Sequence, residues 1–154
     1  MYVVKMTSWT WMTAYLYFMK AKSILYWVVR IVAALIMFQT LYFKFTGAAE
    51  SKYIFTQVGM EPWGRIGVGV LELIASALIL INSTAWLGAG LALGLMSGAI
   101  MMHLTILGVE VQGDGGQLDG GQLFLYAVIV AACSLFVLIW NKERIIGLLA
   151  RLKS

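Results

Sequence analysis

Four long apolar segments constrain the fold of this chain more than any other feature of its sequence. They cover about residues 24–43, 66–81, 86–108 and 123–140, and no water-soluble domain separates them. Each is close to the ~20 residues that a helix needs to cross the hydrocarbon core of a bilayer. A spanning segment must satisfy its own backbone hydrogen bonds, and continuous apolar runs favour helices over the alternating strands of a barrel. The sequence therefore predicts an all-α integral membrane four-helix bundle.

Charged residues make up only 12% of the chain, against about 25% in soluble domains, and they lie mainly in the flanks of the apolar segments. The two terminal flanks are basic, with Lys5, Lys20, Lys22, Lys142, Arg144, Arg151 and Lys153. The loop between the third and fourth segments has acidic residues and no basic ones. Because basic flanks stay on the cytoplasmic side, we expect both termini in the cytoplasm. The net charge of the chain is +4, but its basic residues lie in short segments that flank apolar runs and do not cluster on a soluble face, so nucleic acid is not an expected partner.

The chain divides into three parts on this pattern. Residues 23–147 form the four-helix membrane domain, and residues 148–154 form a basic cytoplasmic tail. Residues 1–22 are an aromatic lead-in with two interpretations. They are an interfacial helix whose aromatic rings lie at the headgroups, or they are an extension that precedes a natural start at Met19.

Three ionisable residues, Arg30, Glu72 and His103, lie within the apolar segments. A charge at mid-bilayer costs roughly 2.5–3.5 kcal/mol on insertion scales, so such groups are usually paired or used. With ~1.5 Å of rise per residue, Glu72 and His103 lie about 7–10 Å from the same membrane boundary. Lys44 can extend its side chain to that depth. We expect a polar pocket of Glu72, His103 and Lys44, with Arg30 and Arg65 as further candidates.

This pocket has a functional and a structural interpretation. In the first, Glu72 and His103 exchange protons, or hydrogen-bond a quinone carbonyl or another small ligand. In the second, they form a buried hydrogen bond that fixes the register of the helices. Arg30 lies nearer the cytoplasmic face, where it can also extend to the inner headgroups.

Small residues in the third segment predict close helix packing. Gly90, Gly94 and Gly98 recur at every fourth position, a spacing that lets membrane helices approach one another. The single cysteine, Cys133, is expected to be a small packing residue. With one cysteine and one histidine, the sequence contains no Cys-x-x-Cys pair and predicts no metal site.

Several short stretches resemble the DoxX-like family of small membrane proteins. Besides Arg30, they are LYFKFTG at 41–47, GMEPWGR at 59–65, LEL at 71–73, HLT at 103–105 and GVEVQGDGG at 108–116. Residues 1–22 and 117–122 depart from the family pattern. The resemblance implies a four-helix protein of the bacterial inner membrane. Family members are linked to quinone-coupled sulfur oxidation and to membrane-attached oxidative-stress assemblies, which suggests a quinone as cofactor and a redox protein as partner.

Three functions compete on this basis. The first is an accessory or anchor subunit of a quinone-linked membrane redox complex, which also allows a homo-oligomer. An oxidoreductase that acts alone is disfavoured, because the sequence has no cysteine pair, no pair of haem ligands and no dinucleotide-binding glycine motif after a strand. The alternatives are a small proton-coupled transporter and a structural membrane protein with no redox role.

Overall fold

The structure, a computed structural model, describes residues 8–152, and its regular elements are helical. The α-helices are α1 (Ser8–Thr46), α2 (Ala49–Gln57), α3 (Trp63–Leu80), α4 (Ala85–Met102), α5 (Gln122–Trp140) and α6 (Lys142–Leu152). A π-helical turn, His103–Leu107, extends α4. The following loop contains a short 3-10 turn and one isolated bridge between Gln112 and Leu118. No strand occurs among the residues described.

Four of these helices are long and apolar enough to cross a membrane. The candidate spans are Tyr15–Thr46, Trp63–Leu80, Ala85–Leu107 and Gln122–Trp140. The prediction of an all-α membrane protein with four spans is therefore confirmed. The second, third and fourth spans begin and end within three residues of the predicted bounds, whereas the first begins earlier because the aromatic lead-in continues its helix.

Residues 8–22 of the lead-in are part of α1 rather than a separate element. At ~1.5 Å per residue the 39 residues of α1 extend about 58 Å, nearly twice the ~30 Å of a hydrocarbon core. The first half of α1 consequently projects from the bundle, and Tyr17 is 81% exposed there. The Nζ atom of Lys22 lies 4.2 Å from the ring centre of Phe18. Residues 1–7 of the lead-in and 153–154 of the tail lie outside the described residues.

The four long helices form a closed ring in the order α1, α3, α4, α5. Helix α2 lies across one end of this ring, against α1, α3 and the π-helical turn. We call this the loop end, because it also carries the connections at 47–62 and 108–121. The opposite end, the terminal end, carries the projecting half of α1, the tight α3–α4 turn and α6.

The core of the bundle is built largely from small and flexible apolar side chains. Its members are Ala33, Ala34, Met37, Ala75, Ile79, Ala85, Ala89, Ala92, Met96, Ala127, Val130 and Val137. Small residues let helix backbones approach closely, which is how helices gain van der Waals contact in lipid. The closest approach is at Gly88, where a Cβ atom would lie 2.8 Å from the carbonyl oxygen of Ala75 and would collide with the backbone of Ile79.

The predicted packing role of Gly90, Gly94 and Gly98 is wrong within the described chain. A Cβ atom at any of the three would have no neighbouring atom within 4 Å. The three glycines share one face of α4, but a Cβ atom on that face would not contact α3 or α5. Gly88, outside the stripe, is the glycine that the α3–α4 contact requires.

Gly88→Ala tests this assignment. The added methyl group must push α4 away from α3, and overpacking of this kind costs about 1–3 kcal/mol. We expect a corresponding fall in the free energy of unfolding, measured by circular dichroism during titration of detergent micelles with a denaturing detergent. Gly90→Ala is the matched control, because it adds the same methyl group in open space and raises helix propensity by up to ~1 kcal/mol. Equal losses in both variants would contradict the assignment.

Candidate functional site

Arg65 lies at the loop end, where it joins the start of α3 to the end of α1. It is 7% exposed. Its Nη2 lies 2.9 Å from Oε1 of Glu61, and its Nη1 donates a hydrogen bond to the carbonyl oxygen of Lys44. The last carbonyls of a helix have no partner within the helix, so Arg65 caps α1. Arg65 was predicted as a pocket residue, but it joins two helix ends and does not line the cavity described below.

Arg30 makes the corresponding connection at the terminal end. Its Nε donates to the carbonyl oxygen of Ile79 at 2.6 Å, and its Nη1 donates to Oδ1 of Asn82 at 2.6 Å. Its guanidinium lies 4.0 Å from the ring centre of Trp27. Arg30 therefore caps the carboxyl end of α3, and this further pocket candidate does not line the cavity described below. Sequence periodicity gave no indication of a backbone carbonyl as its partner.

A cavity of about 390 Å³ lies inside the loop-end half of the bundle. Its wall is mainly apolar and is contributed by α1 to α5 together with the π-helical turn. Pockets of roughly 300–1,000 Å³ with a few polar groups are typical of small-molecule sites. Glu72, His103 and Lys44 all line the cavity, so the structure brings together these three members of the predicted pocket.

Glu72 and Lys44 form a nearly buried ion pair in the cavity wall. Oε2 of Glu72 lies 2.9 Å from Nζ of Lys44, and the two side chains are 4% and 15% exposed. Oγ1 of Thr40 lies 3.2 Å from the same oxygen and 2.8 Å from the carbonyl oxygen of Met37. One hydroxyl proton can serve only one of these acceptors at a time. Lys44 is therefore the principal partner of Glu72, and Oε1 of Glu72 has no hydrogen-bond partner among the described residues.

His103 begins the π-helical turn and is held by the chain that follows it. Its Nδ1 lies 2.8 Å from the carbonyl oxygen of Gly108, and its ring makes an edge contact with Phe124 at 5.5 Å. A carbonyl oxygen only accepts hydrogen bonds, so the contact assigns the proton to Nδ1. Gly108 has a φ of +81°, a backbone conformation that suits glycine. Nε2 is left as an acceptor without a partner among the described residues, on a side chain only 5% exposed.

Glu72 and His103 face one cavity, but no hydrogen bond joins them in the described part of the chain. Each is oriented by a different group, Lys44 for the carboxylate and Gly108 for the imidazole. The structure therefore lacks the direct hydrogen bond between Glu72 and His103 that the structural interpretation of the pocket predicts. Both side chains leave one polar atom free toward the cavity.

Two carboxylates that sequence reasoning did not select also line the cavity, Glu50 on α2 and Asp119 in the loop before α5. Oδ1 of Asp119 accepts from the N–H groups of Val111 at 2.8 Å and Gly121 at 3.0 Å, and Oδ2 accepts from Leu123 at 3.0 Å. Asp119 thus anchors the loop and caps α5. An aspartate just before an apolar run is a recognisable capping signal, so this role was readable from sequence.

No set of three or more histidine, cysteine, aspartate or glutamate side chains is close enough to hold a metal ion within residues 8–152. Cys133 is half-buried on α5, and its sulfur is a free thiol. Lys44, Glu72 and His103 supply the cavity wall with hydrogen-bond donors, hydrogen-bond acceptors and groups that can carry protons.

Fold and site together define a multi-pass membrane helical bundle with a partly polar internal cavity. A sequence model of the DoxX family matches residues 25–105, which are 81 of the 154 residues. The chain belongs to the DoxX family. The matched range includes Lys44, Glu72 and His103, whereas the resembling stretch at 108–116 lies beyond it. Comparison with curated proteins and with solved structures found no match.

Lys44→Met tests the ion pair. Removal of one partner leaves a buried, uncompensated carboxylate, which typically costs about 3–5 kcal/mol. The double variant Lys44→Met/Glu72→Gln should recover a large part of that loss, because neither group is then charged. The measurement is a double-mutant cycle on the free energy of unfolding in micelles. Additive losses in the cycle would show that the two side chains do not interact.

Asp119→Asn tests the cap through its pH dependence. Burial alone would raise the pKa of Asp119, but hydrogen bonds from the N–H groups of Val111, Leu123 and Gly121 outweigh it and hold the pKa below its ordinary value. The stabilisation is present above the ordinary pKa of about 3.9 and is lost as the pH falls through the folded-state value. Loss of such a cap costs about 0.5–2 kcal/mol. Wild type should be the more stable protein at pH 7, and the difference should vanish in acid. A pH-independent difference would contradict the assignment.

Proposed function

We propose that this protein is an accessory or anchor subunit of a quinone-linked membrane redox complex and that it binds the quinone headgroup in its internal cavity. The observation that carries the proposal is an apolar cavity within a membrane bundle, whose wall contains a lysine ion-paired to a glutamate and a histidine with one free ring nitrogen. Membership of the DoxX family agrees with this proposal.

The polar groups of the cavity fit both forms of a quinone. Lys44 carries three N–H donors and uses one of them on Glu72. The remaining donors suit a quinone carbonyl, which only accepts. Nε2 of His103 and Oε1 of Glu72 are free acceptors, which suit a quinol hydroxyl. The apolar remainder of the wall suits the ring and the first part of its lipid tail.

A bound quinone supplies two-electron, two-proton redox chemistry. The side chains bind and orient the headgroup and carry protons. Nε2 of His103 can take up a proton while Nδ1 remains bonded to Gly108, because imidazolium donates through both nitrogens. Lys44 stabilises the charge of Glu72 and donates to the ligand. A redox partner protein supplies or accepts the electrons in this proposal, and the lipid bilayer supplies the quinone.

The proposal includes a location and an orientation. Basic terminal flanks favour both termini in the cytoplasm of a bacterium, with the protein in the inner membrane. The loop end and the cavity then lie in the outer half of the bilayer. A quinone site at that depth would exchange its protons with the outer side of the membrane.

The acidic bias of the cavity supports a second candidate function, a small proton-coupled transporter. Glu50, Glu72 and Asp119 line the cavity with Lys44 as the one lysine or arginine among the lining residues. Carboxylates and histidines within a membrane bundle are common in proton-coupled carriers. Such a carrier would select a small cationic or proton-carrying solute rather than a quinone.

Quinone binding by the purified protein in lipid nanodiscs tests the first proposal. We expect a short-chain quinone to bind saturably, as measured by quenching of tryptophan fluorescence. His103→Phe keeps an aromatic ring beside Phe124 and removes the free nitrogen. The loss of one hydrogen bond of about 1–1.5 kcal/mol should weaken quinol binding roughly tenfold.

Ser134→Ala is the matched control, because Ser134 is a buried polar residue of the bundle that does not line the cavity. It should bind quinone and quinol as wild type does. Absence of saturable binding by wild type would overturn the quinone proposal. Proton uptake by reconstituted liposomes on addition of a cationic solute would then support the transporter.

A further inference from the structure

We propose that the ligand enters the cavity sideways from the membrane, through a gap between α3 and α4 at Gly94 and Gly98. We call this gap the glycine portal. The inference rests on the proposed binding of a lipid-soluble ligand, and it assigns a role to the glycines that do not serve helix packing.

The portal is defined by where the two glycines lie. Both line the cavity, yet Gly94 is exposed on the outside of the bundle and Gly98 is only half-buried. A residue that belongs to both surfaces marks a place where the cavity reaches the outside. A Cβ atom on either glycine would have no neighbour within 4 Å, so the space beside them is open.

The packing of α3 and α4 accounts for this opening. The helices are in backbone contact at Gly88, beside the tight turn that connects them. Gly94 and Gly98 lie six and ten positions further along α4, or about 9 and 15 Å at ~1.5 Å per residue. At these two positions no atom of α3 lies within 4 Å of an added Cβ atom, and Val68 of α3 forms part of the cavity wall. The gap thus lies at the depth of the hydrocarbon core.

The loop end offers a less direct route. Ser51 and Phe55 of α2 are each 6% exposed and line the cavity from that side, so α2 covers the end of the bundle. The buried His103, with its unpartnered Nε2, indicates that the cavity accommodates a polar group of a ligand. A ligand dissolved in the bilayer reaches this nitrogen through the glycine portal without passing through water.

Binding kinetics of a short-chain quinone in nanodiscs test the portal. Leucine at position 98 or 94 should obstruct the gap, so Gly94→Leu and Gly98→Leu should lower the association and dissociation rates by about tenfold or more. A smaller change in affinity is expected, because an obstructed route slows both directions. Gly90→Leu is the matched control, since Gly90 is exposed, has the same open surroundings and does not line the cavity.

Protection of an introduced cysteine from chemical labelling is a second measurement, and it needs a smaller substitution than leucine. In a Cys133→Ala background, a lipid-soluble maleimide should label both Gly98→Cys and Gly90→Cys. Bound quinone should slow labelling at position 98 and leave position 90 unchanged. Saturable binding by wild type with unaltered rates in the leucine variants and no protection at position 98 would overturn the portal alone. Absence of any binding by wild type would overturn both proposals.

Discussion

Two arginines fix α1 against α3 at both ends, and the cavity depends on that arrangement. Arg30 on α1 caps the carboxyl end of α3, and Arg65 on α3 caps the carboxyl end of α1. Helix-end carbonyls carry partial negative charge and lack partners, a larger problem in lipid than in water. Each arginine therefore donates a hydrogen bond to a helix-end carbonyl oxygen, which lipid tails cannot do. The reciprocal pair sets the register of these antiparallel helices from their two ends.

With the register fixed in this way, the loop-end half of the bundle can enclose a cavity. Lys44 is held beside α3 because Arg65 binds its backbone carbonyl, and its side chain then meets Glu72. The backbones of α4 and α3 meet at Gly88, whereas the space beside Gly94 and Gly98, nearer the loop end, is open. A small-residue core at the terminal end and a cavity at the loop end are two consequences of one packing scheme.

Sequence reasoning identified the four spans because hydrophobic length is a strong local signal. It also grouped Glu72, His103 and Lys44, which line one cavity, since depth in a membrane follows from position along a helix. It failed where the partner is a backbone carbonyl, as for Arg30, because an acceptor present at every residue leaves no mark in the sequence. The glycine stripe failed for another reason. Periodicity shows which residues share a face, but not whether that face meets a helix, lipid or an opening.

The lysine–glutamate pair is an expensive way to hold two helices together. Buried ion pairs are often no more stabilising than apolar side chains of similar volume, and the arginine caps already define the register of α1 and α3. The same pair in a cavity wall provides what leucine and methionine do not, a donor and an acceptor in fixed places. The free Nε2 of His103 adds an acceptor, because the hydrogen bond to the carbonyl oxygen of Gly108 places the ring proton on Nδ1. A site that presents a cationic donor and neutral and anionic acceptors in apolar surroundings can distinguish ligands by their protonation state, and this is the property that the proposed binding of quinone and quinol needs.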